Sequence, residues 1–304
     1  MEEGNSIIYG LENQTRALSP QYGESDAIRF LIGTQSLKPN TNQVHVVELE
    51  EDTGALHTKV FKHDIGEIWH LRCSPHDAAI LMTTHSAYDP DTNLDDLSAV
   101  QNRNAEGMEV LKTITPDKPE EEIRCAEWHC SDPNKIGIVL DNYVSIRDIG
   151  TGDQFAVLQD THIKCFDIRT DCNKPAWTVD GAHRQLARDL DFNPNRQFHL
   201  ASAGDDAAVW TVRYNTYHEQ LLLTGSSDAR ALLTAAASIC EPEDEERKGQ
   251  VLEDGVLQSY EQHEDSVYCA EWSAAEPWTF ASLSYDARLV LSRVPRHFKY
   301  RILL

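Results

Sequence analysis

The chain has 304 residues, and its 50 acidic against 27 basic residues give a formal net charge of −23. Because binding to nucleic-acid phosphates requires clustered Lys and Arg side chains, this balance argues against a nucleic-acid partner and against an anionic membrane surface. The most apolar stretch, residues 229–240, contains Arg230 and is far shorter than the roughly 20 residues of a membrane-spanning helix, so we expect no direct membrane insertion.

The first five residues are acidic, where a secretory signal peptide would be basic and then apolar. Seven cysteines, an odd number without a Cys-x-x-Cys pair, indicate free thiols in a reducing compartment. We therefore expect a cytoplasmic protein.

Strand signals begin near residues 7–11 and continue as short runs rich in Val, Ile and aromatic residues at 43–49, 143–149 and 287–292. No segment carries the long 3.6-residue periodicity of an amphipathic helix. The pattern predicts an all-β protein in which the strand at 7–11 pairs with the last sheet of the chain.

Five segments repeat one template, in which apolar residues lie five and two positions before an aromatic or Cys residue that we call the anchor. The anchors are Cys73, Trp128, Phe192, Tyr214 and Trp272. Ten residues after four of them stands a hydroxyl residue, namely Thr83, Ser202, Thr224 or Ser282. Fourteen residues after three of them stands an aspartate, namely Asp206, Asp228 or Asp286. Nine residues before two of them stands a histidine, His183 or His263, and His63 lies one position out of step before the first anchor.

This order of His, strand, hydroxyl residue and Asp is that of a WD40 blade. Asp favours tight turns because its side chain accepts hydrogen bonds from nearby backbone. The Asp also accepts from the His, which bonds the hydroxyl on the next strand, so that buried polar groups satisfy one another. We predict a WD40-type β-propeller of about seven blades in register, with these residues in structural networks.

The anchor spacing locates insertions and deletions. A blade takes about 40–45 residues, whereas the anchors lie 55, 64, 22 and 58 residues apart. We assign the excess in the first and last intervals to polar or acidic loops at 89–109 and 241–254. The other two intervals predict two incomplete blades, at 161–179 and 186–210. The whole chain, 1–304, is expected to form one propeller.

The chain resembles the family of EARP- and GARP-complex-interacting WD-repeat proteins. The segments that carry the resemblance are IYGL (8–11), DAIRFL (26–31), GTQSL (33–37), GEIWH (66–70), RDLDFNP (188–194), LLLTGSSD (221–228), HEDSVY (263–268), ASLSYD (281–286) and KYRILL (299–304). They span both ends of the chain, which departs from the family at two internal deletions. The resemblance implies a non-enzymatic adaptor that binds subunits of the EARP and GARP tethering complexes. It also implies a role in endosomal recycling and retrograde transport, at the trans-Golgi network and at early and recycling endosomes.

Some residues also suggest two other classes of function, an enzyme and a ligase subunit. Asp286, His263 and Ser282 have the composition of a hydrolase triad, but an enzyme needs one such set and not several. The histidines between residues 63 and 85 match no usual zinc spacing, so we expect no catalytic residue, metal or cofactor. The alternative is a substrate receptor of a cullin–RING ubiquitin ligase, because Asp167 and Arg169 resemble the Asp-x-Arg strand end that contacts the ligase adaptor. Trp278, which follows a proline, is expected to be exposed in a turn.

Overall fold

The computed structural model describes residues 6–87, 95–103, 107–114, 123–129, 135–140, 144–147, 154–159, 161–167, 174–196, 199–239 and 252–303. Within these ranges the chain forms 24 strands, three 3-10 turns and one α-helix. The strands are β1 (Ile7–Gly10), β2 (Thr15–Pro20), β3 (Ile28–Thr34), β4 (Asn42–Leu49), β5 (Leu56–His63), β6 (Glu67–Cys73), β7 (Ile80–Ala87), β8 (Asp95–Arg103), β9 (Met108–Ile114), β10 (Ile123–Trp128), β11 (Ile136–Leu140), β12 (Val144–Arg147), β13 (Gln154–Gln159), β14 (His162–Asp167), β15 (Trp177–Val179), β16 (Ala187–Phe192), β17 (Leu200–Gly204), β18 (Val209–Tyr214), β19 (Leu221–Ser226), β20 (Ala231–Ala235), β21 (Gly255–Tyr260), β22 (Val267–Trp272), β23 (Thr279–Ser284) and β24 (Arg288–Arg293). The helix is α1 (Arg296–Leu303), and no helix among the described residues is long and apolar enough to cross a membrane.

These strands form seven sheets in the described part of the chain. Four sheets have four strands each: β2–β5, β6–β9, β18–β21, and β22–β24 with β1. The sheets β10–β12 and β13–β15 have three strands, and β16–β17 has two. Strands that are consecutive in the chain are neighbours in every sheet, which is the connectivity of WD40 blades. The predicted all-β fold of WD40-type blades is confirmed.

The first strand of the chain completes the last sheet, as the sequence predicted. β1 runs antiparallel to β24, with Ile7 opposite Leu291 and Tyr9 opposite Leu289. The backbone of Leu11 then donates to the carbonyl of Ala287 at 2.8 Å. β24 is therefore an inner strand, and β1 forms the outer edge of this sheet.

Three of the predicted segments contain strands that the structure describes. The two-stranded sheet β16–β17 lies in the segment 186–210, and β14 and β15 lie in 161–179. The prediction of a polar loop at 89–109 is wrong for residues 95–103, because β8 pairs with β7 on one side and β9 on the other. Backbone pairing on both edges holds a strand whatever its polar composition. Of the loop at 241–254, residues 241–251 lie outside the described residues.

The chain divides into two compact units: one holds residues 1–11, 158–163 and 179–304, and the other holds 12–157 and 164–178. In the second unit, Leu31, Val44 and Leu71 belong to one buried cluster formed by sheets β2–β5 and β6–β9. The two sheets approach each other closely at Gly33 of β3, since a Cβ on this residue would lie 2.5 Å from Cγ2 of Ile68 on β6. Glycine is therefore required there. That residues 1–304 form one propeller stays a prediction.

In the first unit, the sheets β18–β21 and β22–β24 pack through Leu223, Leu233 and Phe280, and helix α1 adds Phe298 to the same cluster. The expectation that Trp278 is exposed is wrong, because its side chain belongs to this core and is 7% exposed. Its ring stacks on His218 at 4.2 Å, and Nζ of Lys299 lies 5.2 Å from the ring centroid. The helix that follows the last strand thus covers the turn.

Candidate functional site

The last sheet contains a complete His–Ser–Asp network. His263 precedes β22, Ser282 lies on β23, and Asp286 lies in the turn before β24. His263 Nδ1 is 3.4 Å from Oδ2 of Asp286, and its Nε2 is 2.8 Å from Oγ of Ser282. Because a carboxylate only accepts, Nδ1–H donates to Asp286 and Nε2 accepts the hydroxyl proton. Asp286 also accepts the backbone N–H of Glu264 at 2.9 Å and that of Arg288 at 3.0 Å, so it joins two turns.

Burial lowers the pKa of His263, and the nearby Asp286 acts in the opposite direction without cancelling that effect. The neutral imidazole is therefore the form that the folded state favours. A neutral ring with one N–H directed at a carboxylate and one lone pair directed at a hydroxyl is fully hydrogen-bonded. Both ring nitrogens of His263 therefore have a hydrogen-bond partner within the network.

The same network forms around His183, which precedes β16. Nδ1 of His183 is 2.9 Å from Oδ1 of Asp206, and Nε2 is 2.9 Å from Oγ of Ser202 on β17. Asp206 accepts the backbone N–H of Arg184 at 3.1 Å. The hydrogen bond from His183 and then that from Arg184 lower the pKa of Asp206. The structure therefore brings these three predicted residues together as well.

A third network, at the start of sheet β6–β9, has a backbone carbonyl in place of the carboxylate and includes a second histidine. His63 donates from Nδ1 to the carbonyl of Gly66 at 3.2 Å and accepts from the hydroxyl of Thr83 at 3.3 Å. Thr83 in turn accepts from Nδ1 of His85 at 3.4 Å. Ala87 occupies the position of the template Asp. Burial lowers the pKa of His63 to about 4, and burial together with the repulsion from His63 lowers that of His85 to about 4.

The structure does not bring Thr224 and Asp228 to a histidine, so their assignment to such a network is wrong. The template position nine residues before Tyr214 is Asp205. Asp228 lies in an exposed turn, where it accepts from the hydroxyl of Ser226 and from the backbone of Arg230 at 3.2 Å. An Asp at the right offset thus forms a local turn without the rest of the network.

The two residues of the ligase-adaptor alternative fall at the margin of the described structure. Asp167 is the last residue of β14, and nothing is described of its side chain. Arg169 lies outside the described residues. Among the residues that the structure describes, no group of three or more His, Cys, Asp or Glu side chains is placed to hold a metal ion.

Neighbouring sheets are also joined by a link that the template did not predict. In the first unit, Nε of Arg213 on β18 donates to Oε1 of Glu271 on β22 at 3.0 Å, and Nε1–H of Trp272 donates to the carbonyl of Arg213 at 3.2 Å. In the second unit, the same pair of bonds joins β6 to β10. Nε of Arg72 donates to Glu127 at 2.7 Å, and Nε1–H of Trp128 donates to the carbonyl of Arg72 at 3.1 Å.

The sequence signal of this link is an Arg just before one anchor and a Glu-Trp pair ending the first strand of a later sheet. Burial alone would lower the pKa of Arg213, but the carboxylates of Asp189, Glu271 and Asp191 outweigh it and hold that pKa well above its usual value. The guanidinium stays charged between two sheets and ties them by charge-assisted hydrogen bonds.

Two aspartates of β16 bond the backbone of the neighbouring strand β18. Asp189 Oδ2 accepts the N–H of Val212 at 3.0 Å and contacts Arg213 at 2.6 Å. Asp191 Oδ2 accepts the N–H of Tyr214 at 2.7 Å. Burial raises the pKa of Asp191 to about 7, although Arg213 and the Tyr214 N–H favour its ionised form. Side chains thus take over backbone pairing between these two strands.

The chain is similar over its full length to proteins of one family. It is 36% identical to EARP and GARP complex-interacting protein 1 of Homo sapiens, with all of both chains aligned. It is 28% identical to EARP-interacting protein 1 of Caenorhabditis elegans and 29% identical to WD repeat-containing protein DWA2 of Arabidopsis thaliana, over 97–98% of each chain. No family model matches the chain.

The alignment with the Homo sapiens protein extends over 390 positions, against 304 residues in this chain. This chain therefore lacks residues that the relative contains. The identity and the coverage of both chains are high enough to assign a family. This chain belongs to the family of EARP- and GARP-complex-interacting WD-repeat proteins.

Proposed function

We propose that this chain is a non-enzymatic interactor of the EARP and GARP tethering complexes. The observation that carries the proposal is its full-length similarity to relatives whose names state that interaction. Within each compact unit, hydrogen-bonded sheets present turns and strand faces, which is what an adaptor needs.

The polar networks support a structural rather than a catalytic role for the His, Ser and Asp residues. In a hydrolase the nucleophile must reach a substrate, and one triad is enough. Here Ser282 and His263 are buried, and the same arrangement recurs at His183. In each case the Asp accepts the backbone of the residue that follows the His, so the network fixes a turn.

The proposal extends to cellular role and place. The complexes named for the relatives are the partners, and we infer that the chain supports endosomal recycling and retrograde transport to the trans-Golgi network. It would then act in the cytoplasm, at the trans-Golgi network and at early and recycling endosomes. Fluorescence imaging of the tagged chain beside markers of these membranes tests this part, and a diffuse signal would contradict it.

Affinity purification tests the interaction itself. The tagged full chain is expected to recover subunits of EARP and GARP from cell lysate, as the Homo sapiens relative does in the parallel positive control. The Ser282→Ala variant is expected to recover the same subunits, because the hydroxyl acts only inside the blade. Recovery by the relative but not by this chain would contradict the proposal, and loss of recovery in Ser282→Ala at unchanged stability would contradict the structural role of that residue.

A further inference from the structure

A β-bulge interrupts the first strand of six sheets at the same position. In each case one residue is left out of the pairing ladder with the second strand. The bulged residues are Arg16, Trp69, Arg124, Arg188, Trp210 and Tyr268. All are Arg, Trp or Tyr, the residue types most enriched in the hot spots of protein interfaces. Because a bulge redirects a side chain out of the regular alternation, one blade position repeatedly displays interface-type side chains.

In the unit that holds residues 179–304, three of these side chains and one neighbour form a continuous row. The guanidinium carbon of Arg188 lies 4.7 Å from the ring centroid of Trp210. The rings of Trp210 and Tyr268 meet edge to face at 5.0 Å, and those of Tyr268 and Tyr285 at 5.9 Å. We call these four residues the aromatic row. Tyr285, at its end, is 41% exposed, so the row reaches solvent.

The turns beside the row are joined in series by hydrogen bonds. The backbone N–H of Ser227 donates to the carbonyl of Ala208 at 2.9 Å, and the hydroxyl of Ser266 donates to the carbonyl of Ser227 at 3.4 Å. The N–H of Tyr285 then donates to the carbonyl of Ser266 at 3.2 Å. The turns of three successive sheets therefore meet at the end of the strands where the bulges lie.

Acidic side chains outnumber basic ones at these turns. Positions 205–206, 228, 261–265 and 286 carry seven acidic residues, whereas four arginines lie at 184, 188, 230 and 288. Arg188 is bound to both carboxylate oxygens of Asp205 at 2.5 Å, and Arg288 is bound to Glu264 at 2.8 Å. Arg188 and Arg288 are thus paired with carboxylates, and the turns beside the row carry more acidic than basic side chains.

We propose that the aromatic row is a docking site for a basic, extended segment of a partner protein. A Lys or Arg side chain of the partner would lie against the face of Tyr285 or Tyr268, where the ring quadrupole attracts a cation. The carboxylates of the turns would attract the remaining positive charge, and the net charge of −23 would speed its approach. This inference rests on the proposed function, which supplies the partner as a subunit of the tethering complexes.

Direct binding of synthetic peptides tests the chemistry of the row. Labelled decapeptides of alternating Arg and Ser, or of alternating Glu and Ser, are titrated with the full chain and followed by fluorescence anisotropy. The Arg peptide is expected to bind, and Tyr285→Ala to weaken its binding about five- to tenfold. Tyr285→Phe keeps the ring and is expected to bind as the unmodified chain does. Tyr300→Ala, which removes an exposed tyrosine of helix α1, is the matched control.

Preference for the Glu peptide, or equal affinity of Tyr285→Ala and Tyr300→Ala, would overturn the proposal. Affinity purification with the same variants separates it from the proposed function. If Tyr285→Ala still recovers the tether subunits as the unmodified chain does, the row is not their docking site and the proposed function stands. If the unmodified chain recovers none, the proposed function fails, and the peptide titration still decides whether the row binds basic segments.

Discussion

The networks around His263 and His183 consist of the same residue types but differ in what covers them. The side chains of His263 and Asp286 are 1% and 8% exposed, in a sheet of four strands. Those of His183 and Asp206 are 11% and 23% exposed, beside a sheet of two. The bond from the imidazole to the serine is nevertheless equally short in both. Sequence offsets thus determine which atoms meet, whereas the surrounding strands determine how far water is excluded and how much the bonds stabilise the fold.

The largest expected effect is that of removing the buried carboxylate. Asp286→Ala leaves the Nδ1–H of His263 and the backbone N–H of Glu264 without their acceptor, so we expect the free energy of unfolding to fall by about 2–3 kcal/mol. Asp206→Ala is expected to cost clearly less, because water replaces the carboxylate at the more exposed site. Urea denaturation of both variants measures the difference.

Asp286→Asn is the control. Because its amide retains one acceptor oxygen, its free energy of unfolding should fall by less than that of Asp286→Ala. Equal losses in Asp286→Ala and Asp206→Ala would show that the number of strands around a network does not determine its contribution.

The network without a carboxylate predicts acid sensitivity. His63 and His85 have pKa values near 4 when folded and near 6.5 when unfolded, so the unfolded chain takes up their protons first as the pH falls. The stability that these two neutral histidines contribute is full above pH 6.5 and is lost toward pH 4. His85→Asn keeps a donor for Thr83 but does not titrate. We therefore expect it to lose about 2 kcal/mol less stability than the unmodified chain between pH 7 and pH 5.

Denaturant melts at the two pH values measure this difference. His57→Asn is the matched control, because that side chain is largely exposed, and its loss should equal that of the unmodified chain. If His85→Asn lost as much stability between pH 7 and pH 5 as the unmodified chain, the prediction that His85 is neutral in the folded state would be wrong.

A smaller change of stability with pH, in the opposite direction, is expected from Asp191. Its pKa of about 7 in the folded state lies above the value of the free side chain, so the folded chain holds this proton longer than the unfolded chain does. Stability therefore falls as the pH rises through this range. Asp191→Asn mimics the protonated form and keeps an acceptor for the N–H of Tyr214. We expect it to gain about 1 kcal/mol over the unmodified chain at pH 8 relative to pH 6, in parallel melts. Equal curves would contradict the raised pKa.

The fold and two of the networks could be predicted from the sequence because the residues that form them recur at regular spacings along the chain. Strands, turns and the offsets of His, Ser and Asp recur within single blades, so residues such as His183 and Ser202 are linked by a fixed count along the chain. The wrong assignment of Asp228 shows that matching two of the three template residues, the hydroxyl residue and the Asp without the His, is not sufficient. A hydroxyl and an Asp at the right distance still form only a turn when Asp205 occupies the position of the histidine.

Features that depend on neighbouring elements were missed. Glu271 and Arg213 are 58 residues apart and meet only because two sheets pack together. Strand β8 was mistaken for a loop because its composition is polar, although its backbone is paired on both edges. Trp278 was expected in solvent because it follows a proline, whereas a later helix covers it. For Arg213 and for Trp278 the deciding partner comes from a distant part of the chain that no local pattern can identify.

The pairing of β1 with β24 has a consequence for biosynthesis. Residues 7–10 leave the ribosome about 280 residues before their partners at 288–291, which at roughly 5–20 residues per second is a delay of tens of seconds. During that time the early strand has no native edge to join. A nascent chain released before residue 288 would carry this unpaired segment permanently, which makes such fragments targets for quality control.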